Sequence, residues 1–223
     1  MEDGNQMINI LYEDNHLLVV EKPINIPVQE DASGDLDLLT ILKQDLKKRY
    51  QKPGNVYLGL VHRLDRPVGG VMVFAKTSKA ASRLSDQVRV HKFEKTYLAV
   101  VMGKISKGGH FEDYLLKDTK RNMTVVNPKG KHAILDFEAL DHKQGMSLVK
   151  IFLKTGRSHQ IRVQFSYHGF PLFGDQRYNS TAKVGEQIAL FASSLSFEHP
   201  VTKEKLTFTL PIPSRYPFQI FYD

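Results

Sequence analysis

The stretch Tyr57-Leu58-Gly59-Leu60-Val61-His62-Arg63-Leu64-Asp65-Arg66-Pro67-Val68-Gly69-Gly70-Val71-Met72-Val73-Phe74-Ala75 reads as a strand, a pinned loop and a second strand. The flanks are apolar and rich in β-branched and aromatic residues, which suit a pleated, buried surface. Between them a single acid, Asp65, stands among Arg63 and Arg66. Pro67 fixes the backbone, and Gly69-Gly70 allow conformations or close approaches that a side chain would block. Flanking arginines favour the ionised form of a carboxylate. An ionised acid on a fixed loop in basic surroundings can serve as a nucleophile aimed at an anionic polymer. It can equally be a local ion pair with Arg63 or Arg66, and the loop alone leaves both readings open.

The rest of the chain narrows the classes. With 223 residues, 41% of them hydrophobic, there is material for a real core in one domain spanning 1–223. The 31 Lys and Arg outnumber 24 Asp and Glu, a formal charge of +7 that suits a polyanionic partner, with nucleic acid ahead of anionic membrane. There is no cysteine, so disulfides, thiolate zinc sites and a cysteine nucleophile are excluded. None of the nine histidines forms a short-spaced ligand set, which disfavours a metal centre. No apolar run approaches the ~20 residues a membrane span needs. The start, Met1-Glu2-Asp3-Gly4-Asn5, is acidic and polar, unlike a signal peptide, so a cytoplasmic protein is expected.

Outward from the Asp65 loop, two short strands are expected at Ile8–Tyr12 and Leu17–Glu21, joined by the turn Glu13-Asp14-Asn15-His16. A helix follows with the stripe Leu39, Leu42, Leu46 and Tyr50, its end marked by Lys47, Lys48 and Arg49. Ser78 is placed to cap a second helix running to about His91. Phe93–Val101 reads as a strand, and residues 110–153 read as strands with turns at Asn127–Gly130 and Lys143-Gln144-Gly145. Ser158 is placed to cap a third helix that ends at Gly169. More strands fall within 187–210, and Pro211–Asp223 closes the chain. Strands and helices do not alternate strictly, which predicts an α+β fold with a mixed, largely antiparallel sheet. On the third helix Arg162 lies on a polar side of an early turn, where its planar donor can reach a carboxylate. Arg157 precedes the helix, near amides that attract phosphate.

Several segments together resemble the motifs of RluA-type pseudouridine synthases. They are Ile10–Asp14 with Val20-Glu21-Lys22-Pro23, His62–Asp65 with Gly70–Thr77, Lys95-Thr96-Tyr97, Thr155–Val163, Pro171–Asp175 and Phe197-Glu198-His199-Pro200. They stand in the family's order from about residue 8 to residue 211. The resemblance implies an enzyme that isomerises uridine in ribosomal or transfer RNA, with no cofactor and no metal. By the same resemblance Asp65 matches the essential nucleophile, Tyr97 the tyrosine that stacks on the base, and Arg162 the arginine that pairs with the aspartate. In and beside these blocks, His62, Arg63, Arg66, Lys76, Arg157, His159 and Gln160 are candidate substrate-binding residues. Chemistry on a base within RNA requires turning it out of its stack, which suits an aromatic platform and cations along the phosphates.

Two departures stand out. Relatives commonly carry Thr-Ser-Gly where this chain has Val68-Gly69-Gly70, which bears on the loop's packing near the nucleophile. Many relatives also carry a small N-terminal S4 RNA-binding domain, for which a first strand near residue 8 leaves no room. RNA gripped through the catalytic domain alone is therefore expected, and the resemblance implies a monomer. Lys47, Lys48, Arg49, Lys92, Lys120, Arg121, Lys129 and Lys131 are candidates for gripping the RNA. A non-catalytic RNA-binding protein and a metal-dependent hydrolase using His62, His91 and Asp65 are the competing readings.

Overall fold

The computed structural model describes residues 8–222; the polar start Met1–Asn5 and the terminal Asp223 lie outside the described residues. The chain divides into two compact units, one running to Phe93 and again over Leu195–Thr209, the other over Glu94–Ser194 and from Leu210.

In the first unit, β1 (Asn9–Glu13) pairs antiparallel with β2 (Leu17–Lys22). The turn between them is tied by Asp14, whose Oδ1 accepts from the amides of His16 and Leu17 at 2.7 Å each. β2 then pairs antiparallel with β4 (Gly69–Ala75), from Leu17 opposite Ala75 to Lys22 opposite Gly70. The short β3 (Gly59–Leu60) joins the far end of β4. Every residue of β4 is buried, as the unbroken run Val71-Met72-Val73-Phe74-Ala75 requires of a strand covered on both faces. Helix α1 (Leu38–Arg49) buries Leu38, Leu42 and Leu46 and is capped by Asp37, which accepts from the Thr40 amide at 3.0 Å. The apolar stripe is thus rotated from the one expected: Tyr50 is half exposed, and its hydroxyl reaches Glu13 at 2.8 Å. Helix α2 (Ser78–Arg89) packs on β4 and is capped by Thr77, one residue before the expected Ser78.

In the second unit the strand order is β5-β9-β8-β6-β7, antiparallel throughout. Here β5 is Glu94–Met102, β6 Gly109–Asp118, β7 Met123–Val126, β8 Lys131–Lys143 and β9 Met146–Leu153. β8 and β9 are joined by Gln144 and Gly145, both at positive φ (53° and 73°), the two-residue hairpin turn whose twist matches the strands. Alternate residues Tyr97, Ile151, Phe137, Leu135, Phe111 and Leu115 are buried, and α3 (Gln160–Tyr167) sets Phe165 against Phe111 and Phe137 at ring distances of 5.1 and 5.2 Å. β10 (Leu190–Glu198) carries the chain out of this unit into the first, where β11 (Lys205–Thr209) pairs with it. A short 3-10 turn, Phe218–Phe221, buries Phe218 near the end of the closing segment. The expected α+β class holds. Among the described residues, no helix is long and apolar enough to cross a membrane.

Candidate active site

Asp65 sits on the loop that enters β4, partly buried, with its carbonyl accepting from the Val68 amide at 2.9 Å. What fixes this loop is a residue that sequence reasoning left unassigned. Lys22, at the end of β2, is 1% exposed, and its ammonium donates to the carbonyls of Pro23, Arg66 and Val68 at 2.9, 2.9 and 2.8 Å. The antiparallel register that sets Lys22 opposite Gly70 delivers it there. Burial pushes its pKa down to about 7, partly offset by the Asp65 carboxylate, while Arg66 adds to the lowering. Gly69 suits a close approach: a Cβ there would stand 3.0 Å from the Lys22 carbonyl, so the neighbouring backbone would have to give to admit a side chain.

The neighbouring candidates are held in different ways. His62 accepts from the Val73 amide through Nε2 at 3.1 Å, which leaves the ring proton on Nδ1, and its ring meets the edge of Phe93. Arg66 pairs with Asp35 and donates to Ser33 at 2.9 Å, partners other than the local pair with Asp65 that the loop's sequence left open. Arg63 is exposed, with no ion pair or hydrogen bond among the described residues. Lys76 is occupied by Glu13 at 2.7 Å and by the Asp14 carbonyl at 2.6 Å. Its ammonium also lies 5.0 Å from the Tyr50 ring centre.

Tyr97, Arg157, His159, Gln160 and Arg162 all belong to the second unit. Tyr97 is 8% exposed on β5, opposite Ile151. Lys95, two residues earlier and so on the same face, has its ammonium close to Gly156, and burial lowers its pKa. The segment before α3 closes on itself. Gln160 Oε1 accepts from Thr155 Oγ1 at 2.8 Å and from the Arg157 amide at 3.0 Å, while Nε2 donates to the Ile134 carbonyl at 3.0 Å. Gln160 is 3% exposed, so its amide shapes the loop from within. Arg157 donates through Nε to the His132 carbonyl at 2.8 Å.

The helix begins at Gln160, two residues after the expected cap. His159 occupies the cap position in the left-handed region (φ 53°), with no side-chain capping bond, so Ser158 is not the cap. His159 Nδ1 instead lies 2.7 Å from the Tyr178 hydroxyl. Arg162 is buried in the first turn and grips Asp175 with Nε and Nη2, both at 2.8 Å. The sequence points to Asp175 only as part of the Pro171–Asp175 block, and to Tyr178 not at all. Among the described residues, no group of three or more His, Asp or Glu is arranged to hold a metal ion.

A family model described as RNA pseudouridylate synthase matches residues 16–167, which include Asp65, Tyr97 and Arg162. This chain belongs to that family. It is 34% identical over 222 residues to the ribosomal large subunit pseudouridine synthase D of Vibrio cholerae, covering 92% of this chain and 68% of that one. It is also 34% identical over 215 residues to the RNA pseudouridine synthase YhcT of Bacillus subtilis, covering 93% of this chain and 69% of that one. The fold matches human RNA pseudouridylate synthase domain containing 4 and domain containing 1, each with a TM-score of 0.77. Identities there are 22% and 24%, with 92% and 96% of this chain and 88% of each human chain covered. The enzyme is therefore an isomerase acting on RNA that converts uridine to pseudouridine.

Membership in the family gives the Val68-Gly69-Gly70 departure a physical reading. Val68 is 2% exposed, so an apolar side chain fills the place, while its carbonyl is one of those Lys22 holds.

Proposed function

We propose that this pseudouridine synthase acts on structured ribosomal RNA, with Asp65 as the nucleophile, Tyr97 as the platform for the flipped base and Arg162 as the ionic partner of Asp65. The two units then act together as one catalytic domain, in the cytoplasm and as a monomer. The observation that carries the substrate is the 34% identity, over 92% of this chain, to a synthase named for the ribosomal large subunit. A nucleophile needs a fixed approach, and the Lys22 clamp on the main chain around Asp65 supports that role. Attack by the Asp65 carboxylate forms a bond to the nucleoside; the N1–C1′ bond breaks, the base turns, C5 bonds to C1′, the bond to Asp65 is released, and the proton lost from C5 is matched by one gained at N1. No step of that sequence requires a redox partner.

The test follows the lost proton. Ribosomal RNA carrying tritium at uridine C5 is incubated with the protein and with Asp65→Asn. The reading expects tritium release by the first and none by the second. Release from transfer RNA but not from ribosomal RNA would move the substrate class. Undiminished release by Asp65→Asn would remove Asp65 from its role.

A further inference from the structure

We propose that Asp175 and Tyr178 are positioning residues for catalysis: together they fix the plane and direction of the Arg162 guanidinium. This role rests on Arg162 being the ionic partner of Asp65.

A guanidinium 5% exposed is costly unless an anion meets it. Asp175, itself 1% exposed, meets it edge-on, Oδ2 to Nε and Oδ1 to Nη2 at 2.8 Å each. This two-pronged pairing sets the orientation of the guanidinium as well as its charge balance. Of the five N–H groups of arginine, it uses one on Nε and one on Nη2, so the Nη1 end points away from Asp175. The Tyr178 ring completes the brace by covering the guanidinium, its centre 5.2 Å from Arg162 Cζ.

The brace is itself anchored. Gly174 takes φ +69°, and a Cβ there would stand 2.5 Å from the Gln187 carbonyl, so only glycine lets the chain turn into Asp175. The turn is closed by the Asn179 amide on the Asp175 carbonyl at 2.8 Å, and the Arg177 amide donates to Asp175 Oδ1 at 3.1 Å. The Tyr178 hydroxyl accepts from the Thr124 amide on β7 at 2.8 Å and faces His159 Nδ1, while Ser166 Oγ donates to the Tyr178 carbonyl at 2.6 Å. Tyr178 therefore ties the start of α3, at its cap, and the helix's later turn, with Arg162 between.

The test is a double-mutant cycle with RNA substrate, reading kcat, RNA affinity and thermal midpoint for Asp175→Asn, Tyr178→Phe, Arg162→Lys and the combinations. Asp175→Asn keeps shape and volume and removes the charge. It is expected to lower kcat by about 100-fold, the scale of a misplaced catalytic group, with RNA affinity within about threefold. In the Arg162→Lys background it should cost little more, because residues acting through one another are not additive. Tyr178→Phe loses only the hydroxyl tethers and serves if Asp175→Asn fails to fold. Its expected loss is about tenfold in kcat, again absent beside Arg162→Lys. If Arg162→Lys lowers kcat but neither other variant does, or if the losses add, the positioning role is overturned while the role of Arg162 stands. If Arg162→Lys leaves kcat unchanged, the role of Arg162 falls and the positioning role with it.

Discussion

Thr155 Oγ1 donates to Gln160 Oε1 at 2.8 Å, closing the stretch 155–160 on which Arg157 and His159 are presented. The same oxygen of Gln160 takes the Arg157 amide, and its nitrogen reaches back to the Ile134 carbonyl on β8. Gln160→Leu keeps the volume but leaves these buried partners unmet, which costs roughly 1–3 kcal/mol for each polar group stranded. We expect a net loss of about 2–4 kcal/mol in urea unfolding, with a fall in kcat that reflects a disordered approach to α3.

Lys22 links protonation to the order of the Asp65 loop. Its unfolded pKa is 10.5 and its folded value about 7. Below pH 7 both states are charged, and the cost of burying the ammonium is present in full. Between about 7 and 10.5 the unfolded chain holds the extra proton, so stability from this group rises with pH, by up to about 5 kcal/mol. In the folded protein a neutral amine has only two N–H groups, so one of the three carbonyls loses its donor as the pH rises through about 7. Activity is therefore expected to fall above pH 7 while thermal stability does not. A single lysine titrating near 7 in carbon-13 NMR, absent in Lys22→Met, checks the assignment.

Lys120 and Arg121 lie in the turn between β6 and β7, Lys129 in the turn between β7 and β8, and Lys131 at the first position of β8, all exposed. Changing these four to glutamine should weaken RNA binding and flatten its salt dependence, by roughly 0.7–0.9 in log–log slope for each phosphate no longer neutralised. Arg49 and Lys92 should matter less. Arg49 is engaged by Glu13 at 2.8 Å and Asp45 at 2.7 Å, and Lys92 by Glu198 at 3.6 Å. Filter binding across salt concentrations separates the two sets.

Gly130 allows the chain to pass directly over β6: a Cβ there would lie 2.3 Å from the carbonyl carbon of Leu115. Main-chain atoms cannot give way as a flexible side chain can. Gly130→Ala should cost at least about 2 kcal/mol in urea unfolding, while Gly145→Ala, where a Cβ meets open space but φ is +73°, should cost only about 1.

Patterning makes the elements readable and leaves the partners of polar groups obscure. The continuous run over Val71–Ala75 announces a covered strand, and the structure has one. Helix starts differ by one or two residues because competing caps adjoin: Thr77 next to Ser78, and Ser158 before a His159 that takes an unexpected left-handed turn. The site is legible where chemistry needs a particular residue type, as at Asp65. It is illegible where a long side chain chooses among distant partners. Arg66 could pair with a neighbour in sequence, yet Asp35, 31 positions away, holds it. Nothing local distinguishes Lys22 from a lysine ending a strand in water, because its burial depends on the register with β4.

Lys22 grips peptide oxygens, and a peptide oxygen is the same whatever side chain follows it. An anchor of this kind is blind to residue identity at positions 66 and 68, so those positions can drift without moving the acid that precedes them. Such a loop can exchange hydroxyls for a valine over evolutionary time and keep the Asp65 carboxylate in place, leaving its flanks open to retuning for a new RNA.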